Sequence, residues 1–121
     1  MRPIKFRAWD GKYKVMTACV TLSDLSNGFK GLYSSNDIVM QFTGLLDRYG
    51  KEIWEGDVIR VVIENKYLNQ DYLGEIKWIE KGGAFYVEDV PRGVVLFSML
   101  TPDQLEVIGN IYSNPELLKN E

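Results

Sequence analysis

Apolar residues recur at every second position along most of this chain. Ile4, Phe6 and Ala8 alternate with Lys5, Arg7 and Trp9, the period of a half-buried strand. Asp10-Gly11 is a turn signal, and Lys12 to Cys19 reads as the return strand of a hairpin. Ser23 to Ser35 is rich in Ser, Asn, Asp and Gly and reads as a long loop or a short helix. Ile38 to Phe42 is a short strand, and Thr43 to Gly50 a turn region. Ile53 and Trp54 resume apolar character before a tight turn at Glu55-Gly56-Asp57. Val58 to Ile63 then places Ile59, Val61 and Ile63 on one face of a strand.

Glu64 to Tyr72 is polar and reads as a hairpin loop. Further strands are predicted over Gly74 to Ile79, Ala84 to Val90, Val94 to Leu100 and Glu106 to Tyr112. Lys81-Gly82-Gly83 and Pro91-Arg92-Gly93 turn the chain between them. Asn114-Pro115 opens a capped helical turn: Asn114 can accept from an early helix N–H, and Pro115 at the first helical position needs no donor. Leu117 and Leu118 are expected to pack back on the body. About eight short strands with frequent turn signals predict a mainly β fold, an antiparallel sandwich or barrel with little helix.

The length of 121 residues suits one domain with a core of its own, and residues 1–121 are read as such. Charged residues make up 26% and hydrophobic residues 45%, which excludes disordered and collagenous classes. The chain has no histidine. That removes the commonest general base, the commonest zinc ligand and any Ser-His-Asp or Cys-His arrangement. The single cysteine, Cys19, sits between Ala18 and Val20 and reads as a small buried apolar residue. A lone thiol suits a reducing compartment, and no apolar run reaches the length of a signal peptide or a membrane span. A cytoplasmic protein without membrane contact is expected.

The opening hairpin carries the first candidate site. With a two-residue loop Trp9 faces Lys12 and Arg7 faces Lys14; with a four-residue loop Trp9 faces Lys14 and Arg7 faces Met16. In both registers Lys5, Arg7, Trp9, Lys12 and Lys14 share one face, with Ile4, Phe6, Ala8, Tyr13 and Val15 on the other. Residues 1–16 hold five basic groups and one acid, a charge of +4, so the remainder carries -7 of the total -3. Such a face can be solvated or can dock on acidic parts of the same body. It can also meet an acidic surface of a neighbouring subunit, or contact nucleic-acid phosphates with Trp9 as a stacking ring. The net negative charge weighs against the last.

Glu55 and Asp57 are the one carboxylate pair that invites an acid or metal role, but a Glu-Gly-Asp turn is sufficiently explained by structure. Gly56 permits a backbone angle other residues resist, and Asp57 can bond nearby N–H groups. The glycines at 44, 50, 56 and 74 and the run Lys81-Gly82-Gly83-Ala84 match neither a P-loop nor a dinucleotide fingerprint. No cofactor or metal is expected. Most of Trp54, Trp78, Phe85 and Tyr86 read as core.

Several blocks together resemble the YopX-like proteins of bacterial phages and prophages. They are Lys5-Phe6-Arg7-Ala8-Trp9-Asp10, Met40-Gln41-Phe42-Thr43-Gly44-Leu45-Leu46-Asp47 and Gly50-Lys51-Glu52-Ile53-Trp54-Glu55-Gly56-Asp57-Val58. Gly74-Glu75-Ile76 with Trp78, Leu105-Glu106-Val107-Ile108-Gly109-Asn110-Ile111-Tyr112 and Asn114-Pro115-Glu116-Leu117-Leu118 complete the set. Residues 20–36 and 64–72 lie outside the resemblance. It implies a small antiparallel SH3-like barrel over 37–121, a hairpin and irregular segment over 1–36, and self-association. It implies no catalytic residue. The expectation is a non-enzymatic accessory protein that contacts itself, as a homo-oligomer, and a further protein partner; the alternative is a nucleic-acid-binding or regulatory module using Lys5, Arg7, Trp9, Lys12 and Lys14.

Overall fold

The computed structural model describes residues 4–21, 37–67, 69–79, 83–89, 93–96 and 100–118. Its described strands form two antiparallel sheets. The first, in the order β2-β1-β3-β4, is built from β1 (Lys5–Asp10), β2 (Val15–Thr21), β3 (Asp37–Leu46) and β4 (Glu52–Trp54). The second runs β8-β7-β6-β5-β9 and curls into a half-barrel. Its strands are β5 (Asp57–Glu64), β6 (Asn69–Ile79), β7 (Ala84–Asp89), β8 (Gly93–Leu96) and β9 (Leu105–Asn110). Helix among the described residues is confined to two short 3-10 turns, Pro102–Gln104 and Pro115–Leu118.

The period-two reading of Val58 to Ile63 is borne out. Ile59 and Val61 are fully buried, Ile63 packs beside them, and Tyr72, Ile76, Phe85, Val87, Leu100 and Leu105 complete that core. Ile53 reaches the same core from β4, so the short strand ties the first sheet to the second. Each such side chain stabilises the fold by roughly 1.5–3 kcal/mol on burial. Within the first sheet Phe42 on β3 and its cross-strand partner Trp54 on β4 are both buried, with ring centroids 5.3 Å apart.

Several expected boundaries shift. The polar stretch from Glu64 to Tyr72 is not one loop: β5 runs through Glu64 and β6 begins at Asn69, with Glu64 paired to Asn69. Ladder bonds thus extend through residues whose outward side chains are polar. The strand expected over Val94 to Leu100 is described only as Gly93–Leu96. Trp54 and Phe85 are core, whereas Trp78 is at the sheet margin, edge-on to Phe85 at 4.8 Å. The long loop expected over Ser23 to Ser35, the turns at 81–82 and 91–92 and the side chain of Cys19 lie outside the described residues.

The C-terminal turn forms with a different cap. Asn114 Oδ1 accepts from Asn110 N–H at 3.3 Å, and it is the Asn114 carbonyl that accepts from Leu117 N–H. Leu117 folds back as expected: a Cβ built on Gly109 would lie 2.8 Å from Leu117 Cδ1, so only glycine admits this packing.

Candidate functional site

The hairpin adopts neither expected register. Trp9 pairs with Met16 and Asp10 with Val15, leaving Gly11 to Lys14 as the loop. Asp10 organises it: its Oδ1 accepts from the N–H groups of Lys12 and Tyr13, and its carbonyl accepts from Lys14 N–H. Lys14 sits at φ 57°, outside the strand conformation. Lys12 and Lys14 therefore stand exposed on a loop tip and do not continue the face that carries Lys5, Arg7 and Trp9.

That face turns toward the body of the protein. Arg7 is 8% exposed, and its Nη2 lies 2.7 Å from Asp57 Oδ1. The same nitrogen reaches the Glu55 carbonyl at 3.3 Å, and the guanidinium lies over the Trp54 ring. Asp57 Oδ2 accepts from Trp54 N–H at 2.8 Å. Burial pushes the Asp57 carboxyl above its ordinary range, with Arg7 and the Trp54 amide opposing. Lys5 pairs with Glu52 and lies over the Phe42 ring. Trp9 is buried and stacks on Tyr112 at 6.0 Å. Of the five candidate residues, three are thus engaged within the chain, and Lys12 and Lys14 remain outward.

Glu55 and Asp57 also take part in the fold. Glu55 Oε1 accepts from Gln41 N–H at 3.2 Å. Among the described residues no three His, Cys, Asp or Glu side chains are grouped to hold a metal ion. Gly56 is the hinge between the sheets: its N–H donates to the Ile76 carbonyl and its carbonyl accepts from Ile111 N–H. Its φ of 87° is left-handed, and a Cβ there would meet Met40 Sδ at 3.0 Å.

The sequence places Asp47 only in a turn region and in one of the blocks that carry the resemblance. It is buried, and its carboxylate accepts from the N–H groups of Tyr49, Lys51 and Val107. Burial raises its pKa, but those three bonds and the Lys51 charge outweigh it, so the carboxyl is held below its ordinary value. Asp47 thereby joins the β3–β4 turn to β9 and occupies an amide on that edge. Its signal, an Asp ahead of Arg-Tyr-Gly, reads only as a turn.

Glu55, Glu75 and Tyr112 line a small cleft between β3 and β6. Burial, then Glu88 and Glu55, push Glu75 upward against Lys77. Burial and the same acidic neighbourhood, Glu75 and Glu55, raise Tyr112.

The opposite face of the first sheet is the one that carries Phe6 and Ala8. Ala8 is opposite Val39 and Asp10 opposite Val15, which puts Val15 and Val39 on the Ala8 side. Val15 is 52% exposed, Val39 43% and Ile4 50%. The basic face thus docks on acidic parts of the same body, one of the arrangements its charge allows, and the opposite face is covered at Ala8, which is 4% exposed, but open at Val15 and Val39.

A family model described as YopX protein matches residues 5–119. The chain belongs to the YopX family. Among solved structures, protein EF1440 from Enterococcus faecalis is 31% identical, with 98% of this chain and 99% of that one covered and a TM-score of 0.68. Protein yopX from Bacillus subtilis is 21% identical over 98% of this chain and 99% of that one, with a TM-score of 0.57, and shares the fold. A search of the curated proteins finds no match. The family match agrees with the blocks read from the sequence. No described helix is long and apolar enough to cross a membrane.

Proposed function

We propose that this YopX-family chain is a non-enzymatic interaction module that self-associates, an accessory protein of a phage or prophage acting in the host cytoplasm. One observation carries the reading: Val15 on β2 and Val39 on β3 stand exposed on the same face of the first sheet, on either side of β1. Scattered exposed aliphatics are ordinary, but a group on one sheet face is a site where burial by a partner is favourable. The occupant proposed is a second copy. Lys12 and Lys14 project from the hairpin tip of that sheet, and the chain beyond residue 16 carries -7, so copies are complementary in charge as well as apolar area.

Sedimentation velocity of the wild type and of a Val15→Lys/Val39→Lys variant tests this. The wild type should sediment as an oligomer and the variant as a folded monomer. A monomeric wild type at high micromolar concentration removes the reading.

Nucleic-acid binding through the N-terminal hairpin now rests on its tip. Lys12, Tyr13 and Lys14 are exposed, with Lys12 Nζ 5.1 Å from the Tyr13 ring centroid. Charge reversal of Lys12 and Lys14 tests that reading without disturbing the buried Arg7.

A further inference from the structure

Two hairpin turns share a local construction. In Asp47-Arg48-Tyr49 the Asp47 Oδ1 accepts from Tyr49 N–H at 2.9 Å. In Asn65-Lys66-Tyr67 the Asn65 Oδ1 accepts from Tyr67 N–H at 2.8 Å. Each side chain closes a turn on the backbone two residues ahead and so fixes the direction in which the tyrosine leaves the chain. Both rings point to solvent: Tyr49 is 72% exposed and Tyr67 88%. Both carry a cation on the ring, Arg48 Cζ at 5.5 Å and Lys66 Nζ at 5.8 Å from the centroids. Neither ring belongs to the core, so the fold does not account for them.

The two turns lie at one end of the half-barrel. Arg48 N–H donates to the Leu105 carbonyl, and Leu105 pairs with Val61 on the strand that ends at Glu64, just before Asn65. A polar groove of about 420 Å³ runs there, lined by Arg48, Arg60, Val62, Glu64, Asp103 and Gln104. The Lys12–Tyr13 tip is elsewhere, at the other end of β3 from Asp47.

We propose that this end of the molecule binds single-stranded nucleic acid, with Tyr49 and Tyr67 as stacking platforms for bases and Arg48 and Lys66 as phosphate contacts. Exposed rings beside cations are the pairing such strands need, because every base has a face to stack and every link a charge to meet. The groove favours this ligand over an acidic peptide. Arg48 and Arg60 balance Glu64 and Asp103 in its lining, so it is no general trap for carboxylates, and its two acids can accept from the amino groups of bases whose phosphates stay at the cationic tips. A duplex keeps its bases stacked on one another and offers the rings nothing.

Fluorescence anisotropy with a short labelled single-stranded DNA of mixed sequence, its duplex and a labelled polyglutamate peptide tests the proposal. The single strand should bind at low salt and weaken steeply as salt rises. Tyr49→Ala/Tyr67→Ala should lower affinity roughly ten-fold or more, with an unchanged melting temperature because both rings are exposed. Tyr49→Phe/Tyr67→Phe should retain binding, and Tyr13→Ala should leave it untouched. Arg48→Glu/Lys66→Glu should abolish it. Absence of single-strand binding at low salt overturns the proposal. So does equal affinity in the alanine variant, or polyglutamate or duplex bound as tightly as the single strand. Oligomerisation is not part of this site, so the outcome is independent of the self-association tested above.

Discussion

Arg7 and Asp57, fifty positions apart, form a buried ion pair that joins the first sheet to the start of the second. The pair explains why a basic residue can occupy an inward position of β1. Asp57 is also anchored by Trp54 N–H, so the carboxylate has partners on two elements.

Arg7→Ala leaves Asp57 as a buried carboxylate with one amide partner, and Asp57→Asn leaves a buried guanidinium uncompensated. Each should cost about 3–5 kcal/mol in urea unfolding, the range for breaking one half of a buried pair. The double variant Arg7→Ala/Asp57→Asn should cost less than the sum, because neither charge is then left alone. Additive losses would show that the two side chains are not coupled.

Asp47 predicts an acid limb of stability. Its carboxyl is held below its ordinary value of 3.8, so its contribution is complete above that value and lost as pH falls through the folded-state pKa. Asp47→Asn should cost about 1–3 kcal/mol at neutral pH, since the amide would direct a donor at one of the three N–H groups. The gap between wild type and variant should stay constant from neutral pH down to about pH 5 and close below about pH 4. A gap that does not narrow in acid would contradict the assignment.

Gly56→Ala should destabilise by more than about 1–2 kcal/mol, the cost of left-handed backbone alone. The new Cβ also crowds Met40 and Tyr112. Thermal melts of the variant and of Gly50→Ala separate the two effects. Gly50 is also left-handed, at φ 80°, but a Cβ there meets nothing within 4 Å, so it should lose less.

Much of the second sheet was legible because its strands are buried on one face and alternate cleanly. Ile59, Val61 and Ile63 announce an inward face, and Gly56 announces the turn that precedes them. The first sheet was less legible. Period two shows that Arg7 and Trp9 share a face and that Phe6 and Ala8 share the other; it does not show which face turns inward when both carry apolar residues. The deciding groups, Asp57 and Tyr112, are distant in sequence. The hairpin register depended on Asp10 capping Lys12 and Tyr13, which no alternation reveals. The tyrosines at 49 and 67 fall in stretches that the sequence marks only as turn and loop; the Asx bonds that direct their rings to solvent are not visible in any alternation.

The central claim is that the face of the first sheet exposing Val15 and Val39 is an interface between copies. Sedimentation velocity across a concentration series, on wild type and on Val15→Lys/Val39→Lys, tests it most directly. The account predicts an oligomeric wild type and a variant that sediments as a monomer with an unchanged melting temperature. A wild type that stays monomeric throughout, or a variant that oligomerises as the wild type does, would contradict it.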